Sequence, residues 1–273
     1  RQALIHGYNW TITDAGKTTD CTNRRFITTW KTESDNESIT IPTEGGGYNY
    51  LVDWSDGTVD IDVTGNATHS YATTGTYTVS ILGDFPRMYV HTNHNTQRQT
   101  SEQWGSIQWD AMWRAFSTCS NLNVVATDVP DLSNVTNMGR MFFGCNSLVG
   151  NAQFNNWDVS RVNNFGSTFQ GASSFNQPLN NWDVSKVIKF TSMFAGAASF
   201  DQSLADWDLS SLLDSNVSNA AAMFQGVTLS TENYDATLIG WATLDPAEKR
   251  SDMNPILDFI VSDFYPEPQI EQG

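Results

Sequence analysis

The segment FNNWDVS, Phe154 to Ser160, returns as LNNWDVS, Leu179 to Ser185, and again as LADWDLS, Leu204 to Ser210. Trp157, Trp182 and Trp207 are 25 residues apart, as are Asp158, Asp183 and Asp208. A fixed period of this length marks a stack of similar supersecondary units, each of which buries its apolar face only against the next. Phe116, Phe142, Phe169, Phe194 and Phe224 extend the phase in both directions, each four residues after an apolar or small position (Met112, Met138, Phe165, Phe190, Ala220). Five units follow from this alignment. The first is degenerate, and the last carries an insertion around LLDSNVSNA.

Within one unit, Leu179, Trp182 and Val184 have the spacing of a short strand, whereas Val187, Phe190 and Phe194 follow at helical intervals. One strand and one short helix per turn predict a leucine-rich-repeat-type coil. Gly144, Gly171, Gly196 and Gly226 each fall two residues after the aromatic, where the chain is expected to need positive φ.

The unit NNWDVSKVIKFTSMFAGAASFDQSL resembles the repeat of BspA-like leucine-rich-repeat surface proteins over about Ser101 to Trp241. The resemblance implies a secreted or cell-surface bacterial protein, modular and used for attachment rather than catalysis. Ahead of the repeats, SITIP, YNYLVDW, THSY and TYTVSIL alternate with EGGG, SDG and TTG, the strand-and-turn punctuation of a β-sandwich. VDWSDGTVD followed by ATHSYATTGTYTVSI is similar to a PKD-type immunoglobulin-like domain, with Ser55 where that family more often has Gly. The expected fold is therefore mainly β with short helices, an immunoglobulin-like β-sandwich followed by a leucine-rich-repeat-type solenoid. Residues 1–22 resemble the tail of a preceding module, 23–95 the PKD-like sandwich, 96–245 the solenoid and 246–273 a C-terminal cap or tail. Leu4, Ile5, Trp10 and Ile12 of the tail are expected to pack on a repeat-type surface, and Ile256 to Phe264 to cap the open end of the coil.

A net charge of −16 makes nucleic acid an unfavourable partner, and no run approaches the roughly 18 apolar residues of a membrane span. No nucleophile elbow, phosphate loop, zinc-protease helix or C-x-x-C pair is present in the sequence, so no catalytic residue is nominated. His91 and His94, in HTNH, read as a solvated loop pair rather than a metal site.

If Trp182 and Val184 point inward, alternation sends their neighbours out. Asn156, Asp158 and Ser160, with Asn181, Asp183 and Ser185 and with Asp206, Asp208 and Ser210, then form polar columns on an exposed sheet face, the candidate binding surface. Stacked carboxylates at Asp131, Asp158, Asp183 and Asp208 need compensation, either from backbone N–H groups of the following turn or from calcium, the one cofactor such a row would suit. Cys119 and Cys145 fall at matching positions of successive units, at a separation that suits a disulfide and equally two thiols filling small core slots. Cys21 has no partner in phase. The expected role is a non-enzymatic extracellular surface module for adhesion or assembly, with other modules, copies of itself, surface proteins or glycans as partners. A carbohydrate-binding accessory module is the alternative, for which an exposed row of aromatics would speak.

Overall fold

The computed structural model describes residues 22–90, 96–215 and 217–243, with 12–14 and 17–19 in backbone alone and without the side chains of 22, 213–217 and 243. The chain is mainly β-sheet with few short helices. His91, His94, Cys21, the expected tail contacts of Leu4, Ile5, Trp10 and Ile12, and the expected cap at Ile256 to Phe264 all lie outside the described residues, or in backbone alone for Ile12.

The strands are β1 (Ile12–Asp14), β2 (Lys17–Thr19), β3 (Phe26–Thr32), β4 (Glu37–Ile41), β5 (Asn49–Asp53), β6 (Val59–Val63), β7 (Ala67–Tyr71), β8 (Gly75–Asp84), β9 (Arg98–Gln103) and β10 (Asn123–Val124). Helix α1 spans Ser210–Ser215 and α2 spans Thr231–Thr243. Strands β1 and β2 form an antiparallel hairpin. Six strands make one open sheet in the order β10-β9-β3-β8-β5-β6, and β4 pairs with β7 in a second, two-stranded sheet. In β3 alternation buries Phe26, Thr28, Trp30 and Thr32 while Lys31 faces water. Ile39 and Ile41 of β4 and Ala67 and Tyr71 of β7 join the core formed by Phe26, Trp30, Val52, Val79 and Ile81.

The turn between β5 and β6 assembles residues that the sequence keeps apart. Trp54 is fully buried, its Nε1 donates to Asp60 Oδ2 at 2.9 Å, and its ring stacks on His69 at 5.0 Å. His69 meets Asp56 Oδ2 at 2.7 Å, and the Tyr71 hydroxyl donates to the Trp54 carbonyl at 2.9 Å. Ser55 has φ 62° and Gly57 φ 95°. Serine thus occupies a left-handed position that glycine adopts without a Cβ penalty.

The six-stranded sheet crosses residue 95. Strand β9 pairs antiparallel with β3 on one side and parallel with β10, part of the first repeat, on the other. Asp128 accepts the backbone N–H groups of Trp104 and Gly105 at 2.8 to 3.1 Å, and Ser106 N donates to Arg24 O at 3.0 Å. Gly105, at φ 66°, lies so close to the Arg24 and Arg25 carbonyls that any Cβ would collide with them. Phe26, Trp104 and Trp109 interlock at 5.2 to 6.2 Å, so one apolar core runs from the sheets into the repeats.

In the repeats, neither the expected strand at L-x-x-W-x-V nor the expected helical turn at Val187 to Phe194 forms. Left-handed residues recur every four positions, Arg140 and Gly144, Ser167 and Gly171, Ser192 and Gly196, Ala222 and Gly226, with φ between 55° and 73°. Each one closes a tight turn and so forbids the continuous right-handed path of a helix. Amides then alternate in purpose. Thr168, Gln170 and Ala172 donate three residues back within their rung, whereas Phe165, Ser167, Phe169 and Gly171 donate to Lys189, Thr191, Met193 and Ala195 of the next. The rung-to-rung ladder therefore runs along the phenylalanine side, with parallel bridges at Asn137, Asn164 and Lys189. Phe116, Phe142, Phe169, Phe194 and Phe224 form one stacked column with centroids 5.5 to 5.7 Å apart.

Candidate functional site: the outward columns of the repeats

The tryptophan side of each rung is held by side chains rather than by a backbone ladder. Trp157, Trp182 and Trp207 are buried and stacked at 6.4 and 6.5 Å. Trp182 Nε1 donates to Phe154 O at 2.7 Å, Trp207 Nε1 to Leu179 O at 2.8 Å, and Trp241 Nε1 of α2 to Leu204 O at 2.7 Å. Helix α2 thus supplies an indole that makes the same bond to the preceding rung, although it replaces the repeat backbone. Asn181 N donates to Asn155 Oδ1 at 2.9 Å, Lys186 Nζ to Ser160 O at 3.0 Å and Ser211 Oγ to Ser185 O at 2.5 Å. The polar columns consequently lie on a surface of turns, which corrects the expected sheet face.

Alternation still places the candidate residues outward. Asn156, Asp158, Asn181, Asp183, Asp206, Asp208 and Ser210 are exposed, while Ser160 and Ser185 are half-buried. Every aspartate of the column closes the turn after it. Asp131 Oδ1 accepts from Ser133 N at 3.0 Å, Asp158 from Ser160 N at 3.1 Å, Asp183 from Ser185 N at 3.1 Å and Asp208 from Ser210 N at 2.9 Å. Ser185 Oγ adds a second bond to Asp183 at 2.6 Å, and the Ser185 hydroxyl and amide together hold the Asp183 carboxyl below the usual carboxylate range. Ser133 does the same for Asp131. Backbone donors thus provide the compensation that the stacked charges require. Among the described residues, no three His, Cys, Asp or Glu side chains converge as a metal site would need.

Cys119 and Cys145 are buried free thiols. Cys145 Sγ donates to Phe116 O at 3.1 Å, and burial pushes the Cys119 thiol up to about 11 and the Cys145 thiol well above its ordinary value. Beside them lies Arg98, fully buried, with its guanidinium 4.2 Å from the Trp30 ring centre and 5.1 Å from that of Phe116. Its Nη1 donates to Met88 Sδ, while Nε and Nη2 meet no acceptor among the described residues.

One exposed group escaped the reading of the sequence. Trp113 is 39% exposed, whereas every other described tryptophan is at 3% or less. It follows Met112, and the equivalent positions of later units hold Gly139, Gly166, Thr191 and Ala221. The repeat alignment carries that contrast, a bulky aromatic where later units hold glycine or a small residue. Tyr89 packs against Trp113 at 5.2 Å, and the Arg114 guanidinium lies 5.0 Å from the ring centre. The exposed aromatic row that would speak for a carbohydrate-binding accessory module is not formed among the described residues, where Trp113 is the single exposed aromatic of large size.

No helix among the described residues is long and apolar enough to cross a membrane. Residues 110–237, from the first rung into α2, match the pattern of a family described as Mycoplasma protein of unknown function, DUF285. The match covers less than half of the chain. No curated protein and no solved structure matches.

Proposed function

We propose that the chain is a non-enzymatic extracellular surface module for adhesion or structural assembly, one link of a larger repetitive protein. Its architecture in this reading is an immunoglobulin-like sandwich followed by a leucine-rich-repeat-type solenoid. The observation that carries it is the five-ring phenylalanine column, 5.5 to 5.7 Å per step, which joins each unit only to its neighbours. Such a stack is quasi-one-dimensional and presents a long, regular outer surface, the geometry that extended binding faces use. Its joint to the sheets, through Asp128, Gly105 and the shared core, packs the two parts against each other. The similarity of the repeats to BspA-like units, and of the Trp54, Asp56, His69 and Tyr71 cluster to the PKD signature, gives the reading its extracellular setting.

The test is surface display on a non-adherent bacterium, with attachment measured to immobilised copies of the chain, to matrix proteins and to glycan-coated surfaces. Attachment above that of cells carrying the display scaffold without the chain is expected. Attachment no different from that control on every surface overturns the reading.

A further inference from the structure

We infer that the open ladder edge of the fifth rung, around Phe224, is a docking surface for Leu257 to Phe264 of the same chain, a segment outside the described residues, which adds a sixth rung there.

The ladder has a polarity. Amides that leave a rung point to the following unit, as in Ser167 N to Thr191 O and Gly171 N to Ala195 O, then Ser192 N to Ala221 O and Gly196 N to Gln225 O. The fifth rung therefore ends on donors. Its carbonyls from Asn219 to Gln225 are all engaged, alternately by amides of the fourth rung and by Met223, Gln225 and Val227 of its own. The amides of half-buried Ala222 and exposed Gly226, equivalent to those of Ser192 and Gly196, meet no acceptor among the described residues. Helix α2 serves the other side of the coil, with Trp241 Nε1 on Leu204 O at 2.7 Å and Gly240 against Ala205.

An edge of this polarity selects its occupant. Two copies meeting there would set donors against donors. The first rung of a second copy does not offer its carbonyls either, because the sheet region closes that end, where Ala115 is fully buried and Val90 N donates to Arg114 O at 3.4 Å.

The chain's own sequence supplies the matching unit. Val162, Phe165 and Phe169, like Val187, Phe190 and Phe194, are buried at intervals of three and four, and Leu257, Ile260 and Phe264 repeat those intervals. Ser262 stands two residues before its phenylalanine, as left-handed Ser167 and Ser192 do. In this register Val261 O and Tyr265 O meet Ala222 N and Gly226 N, and Phe264 becomes the next ring after Phe224. Pro266 replaces the glycine of the other rungs and has no N–H, so the ladder stops there instead of presenting a further donor. Asp263 falls where Met193 and Met223 are buried, and a last rung gives that carboxylate water on its outer side. The 13 residues 244–256 reach about 40 Å when extended, against about 20 Å for the length of α2. With the end closed in this way, partners meet the outer columns and not the ladder.

The experiment reads amide hydrogen exchange and thermal unfolding of the full chain. The Ala222 and Gly226 amides are expected to exchange about tenfold slower, or more, than in Phe264→Asp, with the amides of Phe165 and Phe169 still protected in that variant. Unprotected Ala222 and Gly226 amides in the parent overturn the inference. Ile260→Asp should lower the melting temperature, whereas Phe259→Asp, in the outward column of Asn137, Asn164 and Lys189, should not. Equal losses in the two overturn the register. Where an aspartate variant fails to fold, a cross-link decides. Gln225→Cys with Tyr265→Cys, on a Cys21→Ser background, places two thiols on adjacent rungs about 4.8 Å apart, within the range of about 4.4 to 6.8 Å that a disulfide accepts. A bond within one chain under mild oxidation is expected. No bond, or bonds only between chains, overturns the inference, the second outcome assigning the edge to another copy's segment.

Discussion

The indole N–H of Trp207 donates to the carbonyl of Leu179 one rung earlier, at 2.8 Å, within a core where both residues are fully buried. The same bond joins Trp182 to Phe154 at 2.7 Å, so tryptophan fills the space and also gives a second donor, from the next rung, to a carbonyl that accepts a backbone amide within its own rung, Trp182 N to Leu179 O at 3.1 Å and Trp157 N to Phe154 O at 3.3 Å. Leucine would fill much of the volume and supply no bond between rungs.

Two substitutions separate these contributions. Trp182→Ala removes both and should cost about 3 to 5 kcal/mol through lost burial and a cavity. Trp182→Phe keeps most of the ring and loses the donor, and should cost about 1 kcal/mol, the net worth of one hydrogen bond, because Trp157 N still donates to the Phe154 carbonyl at 3.3 Å. Urea unfolding of the two variants gives both values. A phenylalanine variant as stable as the parent would show that the hydrogen bond is dispensable.

The aspartate column predicts a specific acid response. Asp183 is held below its ordinary range by the Ser185 hydroxyl and amide, so its folded pKa is lower than its unfolded one. A carboxylate of that kind adds stability above the unfolded value of about 3.9, and that stability is lost as pH falls through the lower folded value. Ser185→Ala should therefore narrow the stability difference between pH 6 and pH 3 by lowering the plateau above pH 5, modestly because the group is largely exposed and screened, and leave stability at the acid end little changed. Melting temperature against pH for parent and variant decides it. Chelator should move neither curve, and a fall in melting temperature with EDTA would indicate a bound cation instead.

The period of the repeat was legible because Trp157, Trp182 and Trp207 obey one spacing, and their burial followed from it. The backbone between them was not. Val187, Phe190 and Phe194 have helical spacing, yet Ser192, an ordinary residue, takes φ 55° and breaks the path. Nothing in a serine announces a left-handed conformation, which here is imposed by the ladder to the next rung, Ser192 N to Ala221 O at 3.0 Å. The glycines two residues past each phenylalanine were foreseeable, and Gly171 and Gly196 do adopt φ 73°. Strand β9 is not legible in the sequence because RQTSEQ lacks apolar alternation. Its buried members are Arg98 and Ser101, so it reads as a polar loop until β3 and β10 flank it. For the candidate site, the aspartates were placed outward as expected, whereas Trp113 was hidden by being a tryptophan in a chain where that residue otherwise marks the core.

The two thiols should be chemically silent in the folded chain. Burial holds both Cys119 and Cys145 mainly protonated, and the thiolate is the reactive form. Ellman's reagent should therefore react with neither under native conditions and with both in guanidinium, and reductant should leave the melting temperature unchanged. Failure to titrate the pair in non-reducing guanidinium would mean that they are bonded.

Arg98 sets the sharpest balance of opposed effects. Its guanidinium is fully buried with no carboxylate within 4.0 Å among the described residues, and burial lowers its pKa to about 10. Cation–π contact with Trp30 and Phe116 returns about 2 kcal/mol when desolvated, whereas an unpaired buried ion costs several kcal/mol. Desolvation therefore wins, and Arg98→Met, which keeps the length of the stem and removes the charge, should leave the chain as stable as the parent or more so. Arg98→Ala should instead destabilise it, since a cavity would open between Trp30 and Phe116. The sign with pH is fixed as well. Between about 10 and the ordinary arginine value of about 12.5 the unfolded chain binds the extra proton, so this residue's penalty shrinks as pH rises through that window. The stability gained by Arg98→Met over the parent should accordingly diminish from pH 9 to pH 11 in urea unfolding. A methionine variant less stable than the parent by 2 kcal/mol or more at pH 7 would show instead that the aromatic and sulfur contacts outweigh the cost of burying the charge.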